Sequence, residues 1–378
     1  MSLARPYDFL IQWHLTERCN LKCRHCYQEG AGQVRELSRT QVFRVIEEIA
    51  RMLQDWRQAY GIDFQPSFNV TGGEPFLRPD LFEILEAMAA IGFEIYLLSN
   101  GTCITGERAR RLAELGVHGV QVSLEGPREI HEYIRGPGSF AASLQGVRTL
   151  LAAGLKVSLN ATLSRLNAGH FRELAEVARG LGVSRLGFSR LVPSGRGRAM
   201  LDLMLSTAQV RKLYEEVRSW QVLFKGGLEI GTGDPMAAQM GEAKAPAADD
   251  SEPFPAGGCS AGVAGLTILA DGTVVPCRRL PLPLGQVGRD SLREIWASSP
   301  VLEALRDKGR YRGKCGACAR WADCRGCRAI AYEYARAQGN PDFLAPDLSV
   351  SLMSSGLSSC QLSAVSYQQR PEQNRDAS

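Results

Sequence analysis

The stretch Glu17-Arg18-Cys19-Asn20-Leu21-Lys22-Cys23-Arg24-His25-Cys26-Tyr27 sets three thiols at gaps of three and two residues, with no fourth cysteine beside them. It follows an apolar, strand-like run, Phe9-Leu10-Ile11-Gln12-Trp13-His14-Leu15. Three thiolates on one short loop suit an iron–sulfur cubane that keeps its fourth iron free for a ligand that is not protein. Zinc is the rival, because His14 or His25 could supply the fourth ligand that a zinc site wants. His25 itself reads better as a solvated or supporting residue than as a ligand.

Farther along, Thr71-Gly72-Gly73-Glu74-Pro75 closes a second strand-like run, where a backbone without side chains lets a ligand approach closely. Ser99-Asn100-Gly101 closes a third and Ser123-Leu124-Glu125-Gly126 a fourth. Polar groups thus gather at the carboxyl ends of consecutive strands, where parallel α/β folds bind their ligands. On these residues the chain resembles the radical S-adenosylmethionine (SAM) enzymes. The resemblance implies that Cys19, Cys23 and Cys26 hold a [4Fe–4S] cluster whose open iron takes SAM. It also implies that Gly72, Gly73 and Glu74 meet the SAM amino group and that Ser99, Asn100, Ser123 and Glu125 meet its ribose and carboxylate. Arg135, in Tyr133-Ile134-Arg135-Gly136, matches an arginine that pairs with the SAM carboxylate, and Asn160 is a weaker candidate. The resemblance further implies an external one-electron donor such as flavodoxin or ferredoxin.

Apolar runs near 68–71, 94–99, 117–124, 156–163 and 184–191 alternate with segments of helical period at about 80–91, 105–115, 139–153 and 169–181. Val42, Val45, Ile46, Ile49 and Leu53 recur as one face of another helix. Counting the run before Cys19, the pattern predicts six βα units, short of the eight of a closed barrel. The expected fold is α/β, a partial (β/α)6 TIM-like barrel with a small Cys-rich C-terminal cluster-binding domain. The expected boundaries are a barrel and following helical segment over 1–240, a linker or mobile loop over 241–258, a cysteine-rich domain over 259–362 and a disordered tail over 363–378.

Six cysteines of that C-terminal region fall between 259 and 327, namely Cys259, Cys277, Cys315, Cys318, Cys324 and Cys327, and Cys360 follows. They resemble the SPASM domain, which carries auxiliary [4Fe–4S] clusters in radical SAM enzymes, many of which modify ribosomally made peptides. By that resemblance Cys259, Cys277 and Cys327 serve a nearer cluster, and Cys315, Cys318 and Cys324 a farther one that Cys360 would complete. The nearer set lacks an evident fourth cysteine, which leaves an open iron or a non-cysteine ligand. Seen alone, Cys315, Cys318, Cys324 and Cys327 would also fit a zinc ribbon. Cys103 stands apart and reads as an incidental thiol.

The tight pair in Cys324-Arg325-Gly326-Cys327 also resembles tetrapyrrole-modifying members of the haem pathway. Sulfatase-maturing members place an Asp after the residue matching Cys277, and here Arg278 and Arg279 follow, which argues against that reaction. The two arginines fit substrate carboxylates or, equally, a solvated turn.

In a chain of 378 residues a net charge of +4 argues against a nucleic-acid partner. No apolar run approaches the roughly 20 residues that cross a bilayer, and the first residues lack a secretory core, so no membrane partner and a cytoplasmic location are expected. Eleven cysteines without such a leader point to reduced, cluster-binding thiols rather than disulfides. The expected activity is a radical SAM/SPASM enzyme acting on a ribosomally synthesised peptide. A tetrapyrrole-pathway enzyme is the second choice, and a zinc-binding interaction protein is the non-enzyme rival.

Overall fold

A computed structural model describes residues 7–29, 34–61, 64–240, 255 and 257–348. Cys360, the tail expected over 363–378 and most of the linker expected over 241–258 lie outside the described residues. Seven strands run in parallel and in chain order: β1 (Tyr7–Thr16), β2 (Phe64–Gly72), β3 (Glu94–Ser99), β4 (Gly119–Ser123), β5 (Val157–Leu163), β6 (Arg185–Arg190) and β7 (Glu229–Thr232). The first six are the strands of the expected (β/α)6 barrel. β7 adds a short seventh strand that the sequence pattern did not predict.

The helices between them are α1 (Arg39–Tyr60), α2 (Leu81–Ala90), α3 (Gly106–Glu114), α4 (Arg128–Arg135), α5 (Ser139–Ala152), α6 (Phe171–Leu181) and α7 (Thr207–Leu223). α1 starts where the Ser38 hydroxyl accepts from the Gln41 N–H and the Gln41 side chain accepts from the Ser38 N–H. It ends at Gly61, whose left-handed φ of 64° costs a glycine little. Its apolar face, from Val42 through Trp56, packs on the alternate residues Phe9, Ile11, Trp13 and Leu15 of β1 in one continuous core.

The cysteine-rich region joins the same sheet. β8 (Gly265–Ile268) pairs in parallel with the outer edge of β1, and β9 (Thr273–Val275) and β10 (Gly285–Gln286) continue it antiparallel. The sheet therefore stays open, ending in β10 on one side and β7 on the other. After the short α8 (Ala237–Met240), α9 (Leu292–Ser298) docks on α1, with the Glu48 carboxylate accepting from the Leu292 N–H at 2.9 Å. Trp296 of α9 meets Phe9 edge to face, 5.1 Å between rings. α10 (Pro300–Arg306), α11 (Gly313–Gly316) and α12 (Arg328–Ala337) complete the region. No described helix is long and apolar enough to cross a membrane.

Candidate active site

A cavity opens at the carboxyl edge of the barrel strands. Cys19, Cys23 and Cys26 share its wall with Gly72 and Gly73 after β2, Ser99 and Asn100 after β3, Ser123 of β4, Asn160 of β5 and Arg135 of α4. Parallel register brings these strand ends level: Thr16 pairs with Gly72, Ser99 with Val122 and Ser123 with Asn160. Residues from across more than a hundred positions thus face one space.

The cysteine loop is anchored on both sides. The Arg24 N–H donates to the Ile134 carbonyl at 2.8 Å, and its Nε to the Tyr133 carbonyl at 2.9 Å. Asn100 Nδ2 donates to Asn20 Oδ1 at 2.9 Å. Donors surround the sulfurs: the Leu21 N–H lies 3.4 Å from Cys19 Sγ, and Arg135 Nη1 lies 3.7 Å from Cys23 Sγ. Burial pushes the Cys19 thiol up to about 11, and it also raises Cys23, against the pull of Arg135. Thiols so placed ionise readily only against positive charge, which an iron core supplies.

Gly73 permits a close approach of two backbones. A Cβ there would overlap the carbonyl of Arg18, the group that accepts from the Glu74 N–H at 2.8 Å. The cysteine loop and the β2 end are thereby stitched together.

Glu74 and Glu125 are fully buried behind the wall rather than in the cavity. Glu74 accepts from the Ser99 hydroxyl at 2.9 Å and the Asn100 N–H at 2.8 Å, fixing the end of β3. Burial raises its pKa to about 7, more than these hydrogen bonds lower it. Glu125 Oε1 accepts from Arg135 Nε at 2.9 Å and lies 3.0 Å from His25 Nε2, while Oε2 accepts from the Thr162 N–H at 2.7 Å. Burial alone would raise Glu125, but Arg135, then His25 and the hydrogen bonds, hold it well below the ordinary carboxylate range. His131 Nδ1 accepts from the Glu125 N–H at 3.2 Å, and burial followed by the nearby Arg135 lowers the His131 pKa to about 4. That ring is neutral near pH 7. Arg135 therefore spends its fork on Glu125 and turns one remaining nitrogen toward Cys23.

Sequence reasoning missed Arg196, which lines the cavity and donates from Nε to the Cys23 carbonyl at 3.1 Å. Its signal was the run Ser194-Gly195-Arg196-Gly197-Arg198 just after β6. There the Gly197 N–H reaches the Cys26 carbonyl at 3.0 Å and straps the loop. Arg278 and Arg279, from the cysteine-rich region, face the same cavity. Cys103 is half-buried and does not line it.

The other cysteines lie in the C-terminal region and are mostly buried. Arg328 Nη2 lies 3.4 Å from Cys315 Sγ, the Gly326 N–H 3.3 Å from Cys324 Sγ and Gln239 Nε2 3.9 Å from Cys318 Sγ. Cys277 and Cys327 flank Arg279, and Cys259 lies near Cys327. Burial raises the Cys327 thiol to about 12 despite Arg279. Among the described residues no three Cys, His, Asp or Glu side chains converge on a point that would hold a single metal ion. Zinc, with bonds of about 2.3 Å to sulfur, needs that convergence; a four-iron core spans wider thiols, and sulfurs ringed by N–H donors suit it.

Residues 13–178 match the radical SAM superfamily, and residues 259–328 match an iron–sulfur cluster-binding domain, SPASM. The chain is 33% identical over 341 residues to an AdoMet-dependent heme synthase of Oleidesulfovibrio alaskensis, covering 86% of this chain and 84% of that one. The chain belongs to the radical SAM superfamily. It is also 31% identical over 335 residues to mycofactocin maturase MftC of Mycobacterium tuberculosis, covering 85% of this chain and 78% of the relative. In fold it resembles Streptococcus suis SuiB bound to S-adenosylmethionine, with a TM-score of 0.68 at 17% identity over 90% of this chain and 77% of SuiB.

This radical SAM enzyme thus has a [4Fe–4S] cluster with SAM and auxiliary clusters in its SPASM region. When bound, the cluster and SAM supply a 5′-deoxyadenosyl radical that abstracts hydrogen from a substrate. The chain's own residues supply a strapped loop, an aligned set of strand-end polar groups and an arginine-lined space beside them.

Proposed function

We propose that this enzyme modifies a ribosomally synthesised peptide, presenting one residue of it to the SAM site. Cys19, Cys23 and Cys26 ligate the cluster. Gly72, Gly73, Ser99, Asn100 and Ser123 line the SAM site directly, while Glu74 and Glu125 hold its walls and Arg135. The observation that carries the reading is where the cavity opens, at the carboxyl edge of the barrel strands with Arg278 and Arg279 of the cysteine-rich region on its wall, which suits one residue of a chain whose remainder stays outside. The likeness to mycofactocin maturase MftC supports it.

The SPASM residues Arg278 and Arg279 line the same cavity, which supports a substrate position between the barrel mouth and that region. Cys259, Cys277 and Cys327 are proposed for the nearer auxiliary cluster and Cys315, Cys318 and Cys324 for the farther, with Cys360 as its fourth ligand. An external flavodoxin or ferredoxin is proposed as electron donor.

A tetrapyrrole substrate is the second reading. The Cys324-Arg325-Gly326-Cys327 spacing and the likeness to the AdoMet-dependent heme synthase favour it. The test incubates reconstituted protein, SAM and reductant either with candidate precursor peptides or with iron coproporphyrin III. A mass change in the peptide, with added 5′-deoxyadenosine, is expected. Turnover of the porphyrin alone would overturn the peptide reading.

A further inference from the structure

The cavity wall is electrically one-sided. It contains Arg135, Arg196, Arg278 and Arg279 and, among the described residues, no Asp or Glu. Arg135 is neutralised from behind by Glu125. Arg196 is held by the Cys23 carbonyl, a neutral acceptor, so it keeps its charge available beside the cluster loop. Arg278 and Arg279 follow Cys277 and are only half-exposed.

Neither of these two forms an ion pair with a carboxylate among the described residues, although Asp234, which pairs with Arg190, lies near enough to Arg279 to favour its charge. The Arg278 guanidinium stands 5.5 Å over the Tyr27 ring, a contact that orients it without cancelling its charge. Arg279 has the Cys277 and Cys327 thiols beside it. Two adjacent guanidiniums on the wall of a cavity lined by no carboxylate make that part of the cavity attractive to an anion.

We propose that Arg278 and Arg279 form a carboxylate-binding subsite, which docks a carboxylate of the substrate beside the SAM site. The planar fork of Arg278 is the main contact, suited to one carboxylate in bidentate grip, and Arg279 adds a second positive charge beside it. Arg196, next to the cysteine loop, is left for SAM's own carboxylate. The inference rests on the reading that substrate enters this cavity but not on which substrate class does so: an acidic or C-terminal residue of a peptide and a tetrapyrrole propionate present the same group.

The test is arginine-selective labelling of the cluster-reconstituted full chain by phenylglyoxal, with modification at Arg278 and Arg279 read by mass spectrometry. One arm adds coproporphyrin III or its tetramethyl ester. The other adds a peptide with Glu and a free C-terminus or its Gln, amidated counterpart. At least one free-acid probe should slow labelling of these two arginines about tenfold, as a charge-assisted bidentate contact would, and the neutral partner should not. In Arg278→Gln the same probe should bind about tenfold more weakly, and Arg278→Lys should recover only part of that loss. Protection by the peptide acid supports both the subsite and the peptide reading. Protection by the porphyrin acid alone supports the subsite and removes the peptide reading. Protection by neither acid, or equally by the neutral forms, overturns the subsite.

Discussion

Asp347 Oδ2 lies 3.0 Å from Arg190 Nη2, although 157 residues separate the two. The same oxygen accepts from the Cys327 N–H at 2.9 Å, and Arg190, at the end of β6, also grips Asp234 beyond β7. All three charged groups are nearly inaccessible to solvent. The pair thus ties the barrel's last strands to the backbone of a cysteine proposed as a cluster ligand, so geometry at one is felt at the other.

Removing one partner of a buried ion pair leaves the other unpaired, at about 3–5 kcal/mol. Asp347→Asn should therefore lower stability by about 3 kcal/mol and release iron from the SPASM region before the first cluster. Thermal melting together with cluster-resolved spectroscopy checks this. Equal loss from both regions would refute the local tie.

Glu125→Gln removes the charge that Arg135 and His25 share, and reductive cleavage of SAM should fall by about 100-fold, the scale of losing one preorganised electrostatic contact. There is a pH signature as well. The folded pKa of Glu125 is depressed, so its stabilisation is present above its ordinary value of 4.5 and is lost as pH falls through the lower folded value. The variant should lose less stability on acidification than the parent. An identical acid profile would count against the pairing.

Glu74 has the opposite sign. Its folded pKa is raised to about 7 from 4.5, so the folded state keeps a proton that the unfolded chain gives up between those values. Its effect is a stability that falls as pH rises from about 4.5 to about 7 and then levels, by about 3 kcal/mol in total. Glu74→Gln should flatten that slope, and denaturant midpoints from pH 5 to 8 measure it.

Changing Cys19, Cys23 and Cys26 together to Ala should remove one cluster's iron, leave the SPASM iron and abolish 5′-deoxyadenosine formation. Iron and sulfide assays with product chromatography decide it. Loss of all iron from a folded protein would contradict two separate cysteine regions.

Gly73→Ala drives a Cβ into the Arg18 carbonyl. Overpacking of this kind costs about 1–3 kcal/mol, and the shift it forces on the cysteine loop should weaken SAM binding. Melting and equilibrium binding on the variant read both effects; a full-strength SAM site would show that the stitch is not needed.

Much of this was legible in the chain itself. Thiol spacing around Cys19, the apolar alternation of β1 through β6 and polar residues at strand ends are local patterns, and local patterns survive without a structure. Gly72, Ser99 and Ser123 were found for that reason. What only the tertiary structure decided is which groups meet. Glu74 and Glu125 sit at strand ends like the cavity residues, yet they point behind the wall. Strand pleat and register set the direction of a side chain, and composition does not encode them. Arg196, Arg278 and Arg279 come from distant segments, and β8's pairing with β1 helps bring the last two over the barrel mouth. The Arg190–Asp347 contact had no local signal at all. A buried charge is placed by the partner that neutralises it, and that partner is 157 residues away.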